Sequence, residues 1–554
     1  MRGRQVFMQS LVAHGVEHVF GNPGTTESPL LDALADFPSI RYVAHLHEGV
    51  AVGAASYYAR AAGRTAVVSL HVAPGLGNGI GMIYNALRAN ALMVVMVGQQ
   101  DTRMMRRESI LGYDLAAMAV PVTKWSTEVR SADEMDEVMR RAFKLACDPP
   151  CGPVFVSLPI DVMEQETGNA ARGPARVFRA PAPDPRGIGE AAALIAGARS
   201  PAIVVGDEVA RAGALDDLVR LAERIGAPVW FEGIRGHVSF PGSHPQARAP
   251  LPFDAAAISR TLGDADLVLL VGGAFFEEVW FTPGSPFPEG ARVVQVESSA
   301  RPLAYNFAVD AGIVADMGAG LRALDEAIAA RVDDAWTSAA ARRRALLAAQ
   351  KEAAAQAYRS RLEKAWTRDP VSMPRAMAEL RRATPAQAVI VEESITASVD
   401  FAAAFVLDAP DQYLGARGGG IGQGLAGAIG AGLAHPGRPV LCVSGDGSAM
   451  YSIQALWTAA RYRLPIVFAI LANREYRVLK HNLDIYRQRF DAASARPYPQ
   501  MDLGEPTLGF AEMAAGMGVP AVRVTAAQEI GEAVARAFSA GGPGLVEIVI
   551  EGKR

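Results

Sequence analysis

Short uninterrupted apolar runs alternate along the whole chain with longer stretches whose apolar residues recur at helical spacing. A run without polar breaks suits a strand buried on both faces, and an amphipathic stretch suits a helix that covers it. The runs at 65–70, 92–97 and 152–159 predict strands in the first part of the chain. Those at 202–205, 228–231, 267–271 and 292–296 do so in the middle, and those at 440–444, 465–471 and 544–550 near the end. Strand and helix in regular alternation predict an α/β fold of three doubly wound parallel-sheet domains.

Composition shifts mark the boundaries. A first domain at 1–165 closes on a buried strand and is followed by a Pro- and Ala-rich linker at about 164–185. A central domain is expected at 187–330, a surface helix at 335–366, and a third domain at 370–550. One internal echo suggests a duplicated plan. Gly63-Arg64 precedes a strand, a Gly-rich turn at 74–79, a helix through residues 85–88 and a second strand, and Gly437-Arg438 opens the same series.

A length of 554 residues implies roughly three to four domains. The net charge of −4, with no basic block, argues against nucleic acid or a membrane surface as partner. Cys147, Cys151 and Cys442 are too few and wrongly spaced for a disulfide framework or a four-ligand zinc site. They read as reduced thiols and predict a cytoplasmic protein. Residues 1–9 lack the apolar core of a signal peptide, and no apolar stretch is long enough to span a bilayer.

The chemistry concentrates at residues 440–448, Val-Leu-Cys-Val-Ser-Gly-Asp-Gly-Ser. An apolar run ending in Gly445-Asp446-Gly447 puts Asp446 at the carboxyl edge of a strand. The glycines allow close approach of a phosphate, and a helix expected from about Ser448 to Tyr462 would aim its free N–H groups at it. The strand at 465–471 then delivers Asn473. A carboxylate and an amide carbonyl beside a phosphate cradle suit Mg²⁺. Taken alone, Gly-Asp-Gly is also a common structural turn. The series Gly422-x-Gly424-x-x-Gly427 has the form of a dinucleotide fingerprint. Gly415 and the glycines at 418–420 break the strand that should precede it, so no dinucleotide site is expected there.

Gly-Asp-Gly followed at this distance by Asn473 resembles the motif of the thiamine diphosphate enzymes, with Ala472 in place of the first asparagine of the family's Asn-Asn. The resemblance implies thiamine diphosphate and Mg²⁺ as cofactors. Asp446, Asn473 and the backbone carbonyl of Glu475 would be the metal ligands, with Gly445, Gly447 and Ser448 at the diphosphate. It implies two similarly folded domains, pyrimidine-binding and diphosphate-binding, with a third between them. Residues 41–48 form an expected strand ending on Glu48, followed by Gly-Val-Ala-Val-Gly-Ala-Ala. As a helix N-terminal acid alone, Glu48 would contribute a few tenths to about 1 kcal/mol. The family has a glutamate at this junction that hydrogen-bonds the pyrimidine nitrogen and so activates the thiazolium carbon. Ile421 matches the bulky residue that bends the coenzyme.

Residues 20–29 and 68–78 look most like benzoylformate decarboxylase. By position, Thr25 stands for its substrate-binding serine and His71 for a proton-transferring histidine; an imidazole suits that task near neutral pH. Read without the resemblance, His71 is a satisfied loop histidine, and His45 and His47 read as structural. Val279 stands where that enzyme has a second histidine. Tyr476 and Arg477 either supply polar groups or belong to a surface loop. The implied activity is non-oxidative decarboxylation of an aromatic or hydrophobic 2-oxo acid to an aldehyde. The alternatives are an acetolactate synthase-type carboligase and a nucleotide- or flavin-binding protein. The resemblance also implies a homodimer or homotetramer, with Glu48 and Asp446 of one site coming from different chains.

Overall fold

The apolar runs become the central strands of three six-stranded sheets in a computed structural model that describes residues 1–552 except 176, 178, 179, 493 and 495. The chain divides into two compact units: Met1–Arg176, Ala365–Ala404 and Ala416–Arg554 form one, Val177–Lys364 and Phe405–Gly415 the other.

The first sheet comprises β1 (His18–Gly21), β2 (Arg41–Ala44), β3 (Ala66–His71), β4 (Met93–Gln99), β5 (Ser126–Glu128) and β6 (Pro153–Pro159) in the order β2-β1-β3-β4-β6-β5, with every pairing parallel. β4 and β6 are buried at every position, as unbroken apolar runs require. The second sheet holds β7 (Pro201–Val205), β8 (Val229–Phe231), β9 (Ala247–Pro250), β10 (Leu267–Val271), β11 (Arg292–Glu297) and β12 (Ala311–Val314), ordered β12-β11-β10-β7-β8-β9. The third holds β13 (Val389–Glu393), β14 (Tyr413–Gly415), β15 (Val440–Gly445), β16 (Ile466–Ala472), β17 (Ala521–Val524) and β18 (Gly544–Val549). Five of its strands run β13-β15-β16-β18-β17, repeating the order β1-β3-β4-β6-β5 of the first sheet. The echo between residues 65–97 and 440–471 therefore reflects a shared topology, with β3 and β15 in the same place.

Two apolar helices join the halves of the first unit. Residues 48–60 of the helix Glu48–Ala62 and residues 423–433 of the helix Gln423–Ala434 are all buried. They meet through glycine: a Cβ at Gly430 would lie 2.0 Å from the Ala54 carbonyl oxygen, and one at Gly427 would lie 2.5 Å from the Tyr57 ring.

Three local expectations are corrected. The glycines at 74–79 form no turn but lie within one helix, Val72–Arg88. Its buried Val72, Leu76, Gly79 and Ile83 recur at helical spacing, and Pro74 sits in the first turn, where no N–H partner is needed. The single helix expected from Ser448 is two, Asp446–Ala449 and Ala455–Tyr462, separated by turns. The strand before Glu48 stops at Ala44, because His47 leaves the ladder to cap the next helix, with Gly49 N donating to its Nδ1 at 3.0 Å.

Candidate active site

Parallel register sets Gly445 opposite Leu471, so Asp446 and Asn473 emerge at neighbouring strand ends. Asp446 is buried and accepts from the backbone N–H of Arg474 (2.7 Å) and of Gly447 (2.8 Å). Burial nevertheless pushes its carboxyl up to about 6, and the nearby Glu475 acts in the same direction. Asn473 Oδ1 accepts from Glu475 N at 3.0 Å. The Glu475 carboxylate is taken up inside its own loop, Oε2 with Lys480 Nζ at 2.6 Å and Oε1 with Arg477 Nε at 3.0 Å. Burial pushes that carboxyl up, but the two cations outweigh it and hold the group below its ordinary value.

An open cleft of about 520 Å³ is lined by Ile421, Gly445, Asp446, Gly447, Ser448, Asn473 and Glu475, and also by Tyr476 and Arg477. Residues the sequence reading missed, Ser394, Ile395 and Thr396, line it too. They follow β13 as Asp446 follows β15; the signal was an apolar run, Val389-Ile-Val, ending in polar residues. Ile395 has φ +51°, a left-handed conformation that costs a β-branched residue about 1–3 kcal/mol. Glu392 fixes this turn by accepting from Ser394 N at 2.7 Å and Ser398 Oγ at 2.9 Å.

The dinucleotide-like glycines have another occupant. Buried Glu393 accepts from the N–H groups of Gly422 (2.9 Å), Gln423 (3.1 Å) and Gly424 (2.7 Å). The amides that would cradle a phosphate are filled by the chain's own carboxylate, whose pKa burial pushes up to about 7 against those three donors.

A second cluster lies at the carboxyl ends of β1, β3 and β4. Glu48 is buried at the start of its helix, with Oε1 accepting from Asn22 Nδ2 at 3.2 Å and Oε2 from Asn78 Nδ2 at 3.0 Å. A Cβ at Gly75 would lie 3.2 Å from Glu48 Oε1 and 3.5 Å from His71 Cβ, so the acid and the histidine share one neighbourhood. His71 Nδ1 is 2.9 Å from Glu27 Oε2 and 3.2 Å from Thr26 Oγ1. Glu27, absent from the sequence reading, is 3% exposed and also accepts from Gly24 N (3.0 Å), Gly98 N (3.1 Å) and Thr26 Oγ1 (2.9 Å). Burial raises its pKa, and the bonds from Thr26, His71 and Gly24 partly offset that. A carboxylate acceptor assigns the proton to Nδ1 and leaves Nε2 as the unprotonated nitrogen. Thr25 is exposed in the single chain; its neighbour Thr26 makes the histidine contact. His45 is buried against Phe20, and burial lowers its pKa to about 3. Val279 is exposed, in the second unit.

Among the described residues no group of three or more His, Cys, Asp or Glu side chains is arranged to hold a metal, and no helix is long and apolar enough to cross a membrane.

Three parallel sheets, two of them sharing one strand order and carrying polar clusters at their strand ends, form the scaffold of a multidomain α/β enzyme. Residues 1–118, 188–324 and 396–548 match in turn the N-terminal TPP binding domain, the central domain and the C-terminal TPP binding domain of the thiamine pyrophosphate enzymes, and the chain belongs to that family. It is 34% identical to the benzoylformate decarboxylase of Pseudomonas aeruginosa over 97% of this chain and 96% of that one. It is 28% identical to the acetolactate synthase isozyme 3 large subunit of Escherichia coli, over 90% and 87%. The solved structure of a thiamine diphosphate-dependent 4-hydroxybenzoylformate decarboxylase from Rhodococcus jostii RHA1 superposes with a TM-score of 0.86 at 29% identity, covering 100% of both chains.

Proposed function

We propose that this enzyme performs the Mg²⁺-dependent, non-oxidative decarboxylation of an aromatic or otherwise hydrophobic 2-oxo acid and releases an aldehyde. The observation that carries the reading is the cleft that gathers Asp446, Asn473, Glu475 and Ile421. Its donor set fits the metal. Asp446 is a buried carboxylate whose charge a divalent cation would stabilise, and Asn473 adds an amide oxygen. Because Lys480 and Arg477 occupy the Glu475 carboxylate, that residue has its backbone carbonyl to offer. Three such oxygens, with phosphate and water, complete the sphere Mg²⁺ prefers. Gly445, Gly447 and Ser448 would hold the diphosphate.

Thiamine diphosphate, when bound, supplies a nucleophilic carbon and an electron sink for the carbanion left as carbon dioxide departs. Glu48 would hold a proton at the pyrimidine nitrogen, its carboxyl oriented by Asn22 and Asn78. Ile421 would support the bend. His71, anchored through Nδ1 on Glu27, would move a proton at Nε2. Thr25 would bind the substrate carboxylate. The family pattern, in which the activating glutamate and the diphosphate motif of one site come from different chains, makes the working unit a homodimer or homotetramer. Cys147, Cys151 and Cys442, none of them in a disulfide, suit a reducing cytoplasm.

Val279, standing where the decarboxylase resemblance expects a histidine, favours a second reading, a carboligase in which another carbonyl compound captures the decarboxylated fragment. Incubation with a panel of 2-oxo acids including benzoylformate and pyruvate, with both cofactors, tests the two. Carbon dioxide with a stoichiometric aldehyde supports decarboxylation; a 2-hydroxyketone or acetohydroxy acid as main product supports the carboligase.

A further inference from the structure

The loop that carries Ile421 is gripped from the opposite half of its unit by the side chain of Asn85. This residue lies on the helix Val72–Arg88 and is 3% exposed. Its Nδ2 donates to the Gly420 carbonyl at 3.1 Å, and its Oδ1 accepts from Gly420 N, also at 3.1 Å. Both backbone polar groups of the residue before Ile421 are thus held by one amide. A Cβ at Gly418 would lie 2.7 Å from Asn85 Oδ1, and one at Gly420 would lie 2.7 Å from Nδ2, so the glycine run is moulded on this side chain. From its own side the loop is closed by Gln423, whose Nε2 donates to Arg417 O at 2.8 Å and Gly420 O at 2.6 Å.

Asn78, which donates to Glu48, precedes Asn85 by seven residues. Two helical turns separate them, so both amides lie on one face, about 10 Å apart along the axis. Met82 lies between them in sequence, and its Cε is 3.4 Å from where a Cβ of Gly422 would be. One helix face therefore bears on the acid at one end and on the Ile421 loop at the other.

We propose that Asn85 is a positioning residue for the coenzyme bend: by clamping Gly420 it sets the height of Ile421 in the cleft. The inference rests on the cofactor reading above. Ile421 acts only through its position, and a displacement near 1 Å can cost about a hundredfold in rate. The Asn85 clamp is a neutral pair of hydrogen bonds to the Gly420 backbone, and Asn85 is not among the described residues that line the cleft with Asp446, so its loss should spare diphosphate and metal binding.

The test is hydrogen–deuterium exchange at the reactive carbon of bound thiamine diphosphate, with Mg²⁺ and no substrate, read by NMR after quenching. Asn85→Ala and Gly420→Ala should each slow exchange about tenfold or more, while coenzyme affinity by titration changes less than about threefold. The double variant should be no slower than Asn85→Ala, because alanine at 85 makes room for the new methyl group at 420. Glu48→Gln is the control for the cofactor reading. If it slows exchange while the folded Asn85 and Gly420 variants exchange at the wild-type rate, the positioning role is wrong. If Glu48→Gln itself exchanges normally, the cofactor reading fails instead. Should Asn85→Ala not fold, Gly420→Ala decides by the same criterion.

Discussion

Glu27 Oε2 stands 2.9 Å from His71 Nδ1, a buried carboxylate behind the imidazole at the end of β3. Gly24 and Gly98 make the contact possible: a Cβ at the first would lie 2.1 Å from the His71 ring, and one at the second 2.1 Å from Glu27 Oε1. The carboxylate fixes the tautomer and orientation of the imidazole. Val72, the next residue, has φ +42° and sharply turns the chain from strand into helix. Glu27→Gln should lower kcat about ten- to hundredfold with little change in KM, because His71, proposed to move the proton, would be misoriented while binding contacts survive. Steady-state kinetics on the best 2-oxo acid checks this; an unchanged kcat would reduce Glu27 to a structural anchor.

Lys480 bridges Glu475 and Asp502, with Nζ 2.6 Å from a carboxylate oxygen of each. Glu475 is buried, so removing this partner leaves Arg477, among the described residues, to compensate its charge. Lys480→Met should destabilise the protein by about 1–3 kcal/mol, between the values for exposed and buried pairs. It should also weaken Mg²⁺ binding as the Asn473–Glu475 turn loosens. Urea unfolding and a metal titration measure the two effects, and wild-type values in both would exclude the role.

Two buried carboxyls set a pH dependence. Burial pushes Glu297 up to about 8 and Glu393 to about 7, from an ordinary value of 4.5. Below the ordinary value both are protonated folded or unfolded, and their contribution is complete. As pH rises, the unfolded chain releases these protons and the folded chain retains them, so stability falls until pH passes the raised values. The protein should unfold at lower urea at pH 8.5 than at pH 5. Glu297→Gln, which keeps an acceptor for Gln295 Nε2, should recover roughly 1–3 kcal/mol at pH 8.5. An identical pH dependence in the variant would contradict the assignment.

Much of the fold is written in the unbroken apolar runs, since β3, β4, β6, β10, β15 and β16 are strands with neighbours on both sides. The edge strands β5, β9, β12 and β17 carry half-exposed or alternating residues and give no such signal. The turn expected at 74–79 failed because glycine there serves close packing: a Cβ at Gly79 would lie 3.1 Å from Leu70. At the site, spacing led to Asp446 and Asn473 and the family resemblance to Ile421, and the three share one cleft. Glu27, Asn78 and Asn85 stayed hidden because their partners come from other strands or from the far half of the chain, and no local pattern reports such contacts.

The central claim is that Asp446 and Asn473 tether thiamine diphosphate through Mg²⁺. Calorimetric titration of the coenzyme into metal-stripped protein, with and without added Mg²⁺, tests it most directly. The account predicts binding that depends on the metal, is lost in Asp446→Ala and persists in Glu48→Gln. Equal binding with and without Mg²⁺, or full affinity in Asp446→Ala, would contradict it.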